Sequence, residues 1–279
     1  MQATRTAALS PVCWAGGKAS NIRHYRALFP QEFDFIVEPF AGGAAVSFFL
    51  ADLTGKRMVL NDSNWQLMAL YETLRDGQAE RLWHDWQHDL ECHCPEYYRH
   101  VRAQSPYGQD RFTVARRFFY LNHTCFNALW RESSSGQMNT PIGDVRHTTL
   151  ERLQRAGECL ANAWLCCDDF APILERHGHP GAFVIIDPPY RPTSKTANFT
   201  SYTKAGWREG DDVRLAEQVY AMTKRGVKVM LASSDVATVR ELYAADCYHI
   251  TPIKSRRSIA ANGGSRGSVQ EIVVTNWTA

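Results

Sequence analysis

The segment 182–190 constrains the fold of this 279-residue chain more than any other. Five apolar residues, Ala-Phe-Val-Ile-Ile, lead directly into Asp187-Pro188-Pro189-Tyr190. A continuous apolar run of this kind is typical of a central parallel strand that is covered on both faces. Ligands of open α/β sheets bind beyond the carboxyl ends of such strands. The sequence therefore predicts that Asp187 and Tyr190 lie where chemistry takes place.

The Asp-Pro-Pro-Tyr segment has the groups needed to activate an amino group on an aromatic ring. Such a nitrogen is a poor nucleophile because its lone pair is delocalised into the ring. The Asp187 carboxylate and the Pro188 carbonyl can each accept one N–H hydrogen bond, which draws the nitrogen towards tetrahedral geometry, and proline fixes φ and so makes the carbonyl position rigid. Tyr190 offers a flat ring for stacking on the substrate. The alternative interpretation is a strand-ending turn with a solvated aspartate.

A second region, near the N-terminus, predicts a nucleotide-type βαβ unit. A short apolar run at 35–38 is followed by the turn Phe40-Ala41-Gly42-Gly43, a predicted helix over 44–53 and a second strand that ends at Asp62. The glycines allow a tight turn and the close approach of a ligand. An acid about 20 residues further on is placed to bind the hydroxyls of a ribose. A helix N-cap is the alternative role of Asp62.

The predicted elements together indicate the α/β class, with a twisted, mostly parallel sheet and helices on both faces. Further strands are predicted at 227–232 and 270–274, and the segment 122–145, rich in Asn, Ser, Gly and Thr, is predicted to be a loop or hairpin. We expect residues 1–64 and 150–279 to form the catalytic domain and residues 65–149 to form an inserted helical and hairpin subdomain.

Composition constrains the partners less than the motifs do. The net charge is only +2, but residues 99–132 carry six arginines against Asp110 and Glu132, an excess that suits either a phosphate backbone or a solvated helix face. The eight cysteines include no C-x-x-C pair, so we expect free thiols in a reducing cytosol and no metal site. No signal peptide and no apolar run near the ~20 residues of a membrane span are visible, which predicts a cytoplasmic protein without a membrane partner.

Several motifs, in the same order, resemble those of the DNA adenine-N6 methyltransferases, specifically the Dam-like group that modifies GATC. The likeness spans nearly the whole chain, from about residue 11 to residue 275. The motifs are Trp14-Ala15-Gly16-Gly17-Lys18, Glu38-Pro39-Phe40, residues 125–131 and 136–143, Asp187-Pro188-Pro189-Tyr190, and residues 196–200, 256–259 and 262–264. The resemblance implies a Rossmann-like methyltransferase fold, S-adenosylmethionine (SAM) as the cofactor and duplex DNA as the substrate.

The resemblance also implies roles for individual positions. The catalytic positions are Asp187, Pro188 and Tyr190. The cofactor-binding positions are Trp14, Lys18, Phe40, Gly42, Asp62, Asp169 and Asp187, with Asp168 as the alternative to Asp169. The DNA-binding positions are Phe126, Asn127, Arg131, Asn139, Pro141, Asn198, Arg256 and Asn262. Within the last group, Phe126 corresponds to an aromatic residue inserted into the duplex and Arg131 to an arginine that reads a guanine.

Two positions depart from the pattern of the relatives. Relatives carry Lys immediately before the Trp14 position, where it helps to read an outer base pair, and this chain has Cys13. Relatives also end the Phe-x-Gly-x-Gly turn with Gly, whereas this chain has Gly43-Ala44, which we interpret as a glycine shifted by one residue. Because one base contact is worth ~1–3 kcal/mol of discrimination, we expect full or partly relaxed GATC specificity.

Other substrates and other classes of protein remain as alternatives. Methyltransferases that act on cytosine N4 more often have Ser at the position of Asp187, and those that act on RNA adenine or protein glutamine more often have Asn. A catalytically silent DNA-binding relative and an α/β protein that binds another nucleotide are the remaining alternatives. We expect a monomer in the cytoplasm of a bacterial cell, with a phage genome as the alternative source.

Overall fold

The computed structural model describes residues 9–133, 136–189, 207, 209–256 and 268–278. Within these ranges the strands are β1 Phe35–Glu38, β2 Arg57–Asn61, β3 Trp164–Cys166, β4 Ala182–Ile186, β5 Lys228–Ser234, β6 His249–Arg256 and β7 Ser268–Thr275. They form a seven-stranded sheet in the order β3-β2-β1-β4-β5-β7-β6, in which β7 runs antiparallel to both of its neighbours and the other pairs are parallel. The predicted α/β class with a mostly parallel sheet is confirmed.

Helices connect the strands and cover both faces of the sheet. In the described part of the chain they are α1 Ile22–Tyr25, α2 Ala45–Thr54, α3 Trp65–Arg75, α4 Ala79–Glu91, α5 Pro95–Ala103, α6 Arg111–Thr124, α7 Leu150–Leu160, α8 Phe170–His177, α9 Glu209–Lys224 and α10 Ala237–Leu242. Short 3₁₀ turns lie at Lys18–Asn21, Arg26–Leu28 and Phe126–Ala128. The predicted strand at 182–186 agrees with β4 residue for residue.

The central strands are apolar on both sides because each side faces a separate hydrophobic core. Successive side chains of a strand point to opposite faces. In β4, Phe183 and Ile185 belong to one core, whereas Val184 and Ile186 belong to the other, and each is at most 3% exposed. This arrangement explains why the sequence of β4 shows a continuous apolar run rather than an alternating pattern.

The segment between β2 and β3 folds as helices α3 to α7 and a pair of extended segments. Helix α6 is buried along most of its length, and Phe118 and Phe119 pack on Trp130 and Trp86. The same hydrophobic core extends from these residues to Phe183 of the sheet. After α6 the chain forms a hairpin, residues 125–142, in which Cys125 pairs with Ile142 and Glu132 with Met138 in antiparallel orientation. The packing therefore holds the hairpin on the same body as the sheet.

The carboxyl ends of β1, β2 and β3 are tied together by one buried amide. The side-chain NH₂ of Asn61 donates to the carbonyls of Pro39 (2.9 Å) and Asp168 (3.0 Å), and its oxygen accepts the Asp168 N–H at 2.9 Å. Asn61 is 1% exposed. These three bonds fix the spacing of the turns that follow the three strands, where a ligand of this fold binds.

Replacing Asn61 with alanine is expected to lower the free energy of unfolding by about 3 kcal/mol, because it leaves buried backbone groups without partners. The measurement is urea unfolding of wild type and Asn61→Ala, with Asn162→Ala, a change at an exposed asparagine, as the control. Equal losses in the two variants would contradict the role given to the Asn61 amide.

Candidate active site

One cavity opens at the carboxyl ends of the parallel strands. Its lining residues follow β1, β2, β3 and β4, and the loop before α1 closes one side. They include Trp14, Lys18, Glu38, Phe40, Gly42, Asp62, Asp168, Asp169, Phe170, Asp187, Pro188 and Trp207. All seven positions that the resemblance assigns to cofactor binding therefore line a single cavity.

The glycine turn after β1 packs directly beneath an indole ring. A Cβ atom on Gly42 would lie 2.5 Å from the indole nitrogen of Trp14, and the φ of Gly42 is +43°, a value that favours glycine. The Tyr71 hydroxyl donates to the Gly42 carbonyl at 2.5 Å. Both the space and the backbone conformation therefore require glycine at position 42.

The last position of this turn differs from the interpretation made from the sequence. Ala44, at the N-terminus of α2, adopts a φ of +44°, and Gly43 does not take over the left-handed conformation. Alanine itself occupies the left-handed position, at a cost of about 1–2 kcal/mol.

Asp62 links the glycine turn to the start of α3. One carboxylate oxygen accepts the Gly42 N–H at 2.8 Å, and the other accepts the Asn64 N–H at 2.8 Å. Burial raises the pKa of Asp62, whereas these two N–H donors act to lower it. Each oxygen keeps a lone pair that a ligand hydroxyl can use. The helix N-cap considered for Asp62 is instead Asn64, whose side chain accepts the N–H groups of Gln66 and Leu67.

Asp187 forms an ion pair with Lys18 at the end of β4. The Lys18 Nζ atom lies 3.0 Å from the Asp187 Oδ1 atom and also donates to the Gly16 carbonyl at 3.0 Å. The side chains of Lys18 and Asp187 are 9% and 23% exposed, so the pair is shielded from water while the carboxylate still reaches the cavity. A shielded, charge-assisted pair of this kind fixes the orientation of the carboxylate.

Glu38 begins the Glu38-Pro39-Phe40 motif, and it is a buried acid at this site to which the sequence assigned no individual role. It is 4% exposed, lines the cavity and accepts a short hydrogen bond from the Ser47 hydroxyl. Burial raises the pKa of Glu38 to about 8, and the charges of Asp187 and Asp62 add to the rise, whereas the Ser47 hydroxyl opposes it. The Glu38 carboxyl is therefore mostly protonated at neutral pH.

Three aromatic rings form the apolar side of the cavity. The ring centroids of Phe40, Phe170 and Trp207 lie 5.3 to 5.6 Å from one another, and the Trp207 indole donates to Asp212 at 3.1 Å. Phe170 and Trp207 were not predicted as site residues, because an isolated aromatic residue has no distinctive sequence pattern. The rings form a surface suited to a planar heterocycle.

The two acids after β3 both line the cavity, and each already has hydrogen-bond partners. The Asp169 carboxylate caps α8 by accepting the Ala171 N–H at 2.9 Å and also accepts from Arg214 at 2.7 Å. The Asp168 carboxylate accepts the Asp169 N–H at 2.8 Å. Which of the two acids faces a bound adenine ring stays a prediction.

The charges of the cavity fit the cofactor implied by the resemblance. Lys18 is the one Lys or Arg among the described lining residues, against the acids Glu38, Asp62, Asp168, Asp169, Asp187 and Asp211. SAM combines a sulfonium cation, a ribose and an adenine. An acidic cavity with an aromatic side and an acid at the end of β2 has a matching group for each of these parts.

The hairpin carries five of the eight predicted DNA-binding residues. Its exposed residues Phe126, Arg131, Asn139 and Pro141, and the half-buried Asn127, belong to this predicted group. Phe126 is 48% exposed, an unusual degree for a phenylalanine, and Asn127 and Ala128 after it adopt φ values of +54° and +52°. This tight turn holds the Phe126 ring away from the core.

Two further contacts order the hairpin. The Arg131 side chain donates to the Asn139 Oδ1 atom at 2.6 Å, so the two predicted DNA-binding residues orient each other across the hairpin. A Cβ atom on Gly143 would lie 2.5 Å from the Phe126 Cα atom, which shows how closely the two segments approach. These contacts fix the relative positions of the two described segments of the hairpin.

Three predicted residues, Tyr190, Asn198 and Asn262, lie outside the described residues. Arg256 ends β6, where its backbone pairs with Ser268. Because β6 runs in the same direction as β4, Arg256 lies at the same edge of the sheet as Asp187.

The buried carboxyl of Glu38 is expected to make stability depend on pH. Between the ordinary glutamate pKa and about 8 the folded state keeps a proton that the unfolded state loses, so stability falls as pH rises through this window. Glu38→Gln stays neutral and keeps an acceptor for Ser47. The free energy of unfolding of Glu38→Gln minus that of wild type should therefore increase by about 4 kcal/mol as the pH rises from 5 to 8. This increase corresponds to about 1.36 kcal/mol per pH unit. The measurement is urea unfolding of both proteins across this pH range. A difference in unfolding free energy that does not change with pH would contradict the raised pKa of Glu38.

Comparisons with known proteins identify the family of this chain. The family profile described as D12 class N6 adenine-specific DNA methyltransferase matches residues 14–259. Among the described residues no helix is long and apolar enough to span a membrane, and no group of three metal-ligating side chains is present.

Three named relatives match along nearly their whole length. The type II methyltransferase M1.LlaDCHI of Lactococcus lactis is 33% identical over 273 residues, which cover 95% of this chain and 94% of that protein. The DNA adenine methylase of Escherichia coli K12 is 32% identical, with 93% and 92% covered. The type II methyltransferase M.MjaIII of Methanocaldococcus jannaschii is 30% identical, with 95% and 97% covered. The chain belongs to the D12 class of N6-adenine-specific DNA methyltransferases.

Proposed function

We propose that this protein methylates the N6 amino group of adenine at GATC, or at a relaxed form of GATC, in duplex DNA. The family gives adenine-N6 methylation of DNA with SAM as the methyl donor. The observation that carries the site assignment is the position of Asp187. It lies at the carboxyl end of a buried strand, paired with Lys18, and opens into the same cavity as Gly42 and Asp62.

The residues of the cavity would hold the cofactor by its chemically distinct parts. The bound cofactor supplies an electrophilic methyl group on a sulfonium, which is a good leaving group. Asp62 would accept the ribose hydroxyls, and Phe40, Phe170 and Trp207 would enclose the adenine ring, with Asp169 near its amino group. Trp14 and Gly42 would shape the remaining wall. Support comes from the excess of acids over Lys18 in the lining, which suits a cation.

Asp187 and Pro188 would activate the target amino group. The Asp187 carboxylate accepts one N–H of the adenine, and the Pro188 carbonyl accepts the other, which localises the nitrogen lone pair for attack. Lys18 would hold the carboxylate in place through the ion pair. Tyr190 would stack on the base. Much of the rate would come from holding nucleophile and methyl group in line.

The segment 65–149 would act as the target-recognition subdomain, carried by the catalytic domain formed by 1–64 and 150–279. Base-modifying enzymes take their target out of the stack. The exposed Phe126 would fill the space left in the duplex, and Arg131, oriented by Asn139, would read a guanine with two hydrogen bonds. Asn127, Pro141, Asn198, Arg256 and Asn262 would complete the contacts to DNA.

The position of Cys13 bears on the recognised sequence. Its backbone is held by two hydrogen bonds with Asn122, of 3.0 and 2.7 Å. Burial raises the pKa of the Cys13 thiol, and the charges of Arg146 and Arg152 act against the rise, so positive charge lies close to this position. Arg146 also donates to the Cys125 carbonyl, next to Phe126. This charge supports a site that still centres on GATC although the lysine of the relatives is missing.

We further propose that the protein acts as a monomer in the bacterial cytoplasm, where chromosomal or phage DNA and SAM are both present. A single chain brings the cavity and the hairpin together on one hydrophobic core, which supports a monomeric enzyme.

The direct test of the proposed chemistry is methylation of random-sequence duplex DNA, read by nucleoside analysis. Wild type should produce N6-methyladenine. Asp187→Ala should lower kcat by about 100- to 1,000-fold, because it removes an acceptor positioned for the transition state. Asp246→Ala, at an exposed aspartate, is the matched control and should retain full activity. Methylcytosine as the product, or less than a tenfold loss in Asp187→Ala, would contradict the proposal.

Sequencing the modified sites tests the recognition hairpin. Wild type should modify GATC and a set of sequences that differ at the outer base pair, and Cys13→Lys should narrow this set by restoring a contact worth ~1–3 kcal/mol. Cys13→Ser is the control and should leave the set unchanged. An unrelated core sequence, such as CAG, would rule out the proposed specificity.

A further inference from the structure

Arg117 is a buried arginine whose role is not explained by the active site. It lies in α6 and is 6% exposed. Its guanidinium donates to the carbonyls of Val101 (3.2 Å) and Arg102 (2.9 Å) and to the side-chain oxygen of Gln66 (2.9 Å). Burial lowers the pKa of Arg117 to about 10, so the group still carries its charge at neutral pH. Burying a charge is costly, and an apolar side chain could fill the same space.

One of these contacts leads towards the cofactor cavity. Gln66 is 1% exposed and lies in the first turn of α3, where its N–H is capped by Asn64 at 3.1 Å. The Asn64 N–H in turn donates to Asp62, the proposed ribose ligand, at 2.8 Å. The guanidinium is therefore joined to the cofactor site by a short series of buried hydrogen bonds.

The other two contacts lead towards the hairpin. Arg117 holds the last carbonyls of α5, and two side chains of that helix reach the hairpin. Tyr98 and Arg102 donate to the carbonyl of Thr140 at 2.9 and 3.0 Å. Thr140 is 1% exposed and lies between Asn139 and Pro141, which are both predicted to contact DNA. The position of the hairpin therefore depends on the position of the C-terminal end of α5.

We propose that Arg117 is a positioning residue that couples occupancy of the cofactor cavity to the geometry of the recognition hairpin. The inference rests on the proposed function, which assigns the cofactor to Asp62 and DNA to the hairpin. The fixed planar fork of arginine serves three acceptors on two elements at once, which the single ammonium of lysine cannot reproduce. Because coupling between two binding sites is reciprocal, cofactor should tighten DNA binding and DNA should tighten cofactor binding by the same factor.

The test measures the dissociation constant of the protein for an unmethylated duplex that contains the sequence which wild type methylates. The constant is measured with and without saturating S-adenosylhomocysteine. In wild type the added compound should tighten DNA binding by at least about fivefold, the lower end of typical coupling between sites. In Arg117→Met this ratio should fall close to one. Arg116→Met is the matched control, because the neighbouring Arg116 forms its ion pairs with Asp85 and Asp89, which both lie in α4. It should keep the wild-type ratio even where it lowers the melting temperature.

Gln66→Met gives a second route to the same result if Arg117→Met does not fold. It removes the contact towards the cavity and leaves the charge in place, and it too should bring the ratio close to one. A wild-type ratio of one, or wild-type ratios in the variants, would overturn the inference. Adenine methylation by wild type is scored separately, so failure of the coupling is distinguished from failure of the proposed function.

Discussion

The carboxylate of Asp62 joins the glycine turn of the cavity to the helical segment that carries the hairpin, and the arrangement of the site depends on it. Its two oxygens accept N–H groups from opposite directions, one from the glycine turn after β1 and one from the start of α3. Without this acceptor, Gly42 would lose the bond that holds it beneath Trp14, and Asn64 would be less firmly placed to cap α3. One acid thus positions both the wall of the cavity and the first helix of the segment that carries the hairpin.

The electrostatics of the cavity favour a cationic ligand. Asp187 is balanced by Lys18, whereas Glu38 has a hydroxyl for a partner and takes up a proton. A carboxyl whose pKa is near neutrality responds to a bound positive charge by releasing that proton. The protein therefore tolerates a group of acids at one edge of the sheet in the absence of ligand.

The parts of the structure that follow from local patterns could be predicted from the sequence. The apolar run of β4 and the glycine turn after β1 placed Asp187, Gly42 and Asp62, which the structure brings together in one cavity. Helix α5 has only a weak signal in the sequence, because Pro-Glu-Tyr-Tyr-Arg-His-Val-Arg-Ala presents only Tyr98 and Val101 to the core.

Contacts between distant segments could not be predicted in this way. Trp207 reaches the cavity through packing and lies in no motif of the sequence. The Glu38-Pro39-Phe40 motif includes Glu38 but does not reveal its burial or its hydrogen bond with Ser47. The left-handed conformation of Ala44 is set by the turn that precedes α2, although alanine does not favour it. The partners of Arg117 lie on two other helices, α3 and α5, and become visible only in the folded chain.

The most direct test of these assigned roles is a crystal structure of the protein with S-adenosylhomocysteine and a duplex that contains its recognition sequence. We expect the ribose hydroxyls on Asp62, the adenine ring of the cofactor product among Phe40, Phe170 and Trp207, and the target adenine outside the duplex. The amino group of that adenine should lie within hydrogen-bond distance of the Asp187 carboxylate and the Pro188 carbonyl. The assigned roles would be wrong if the cofactor product were bound elsewhere. They would also be wrong if the target base stayed stacked in the duplex with the hairpin away from it.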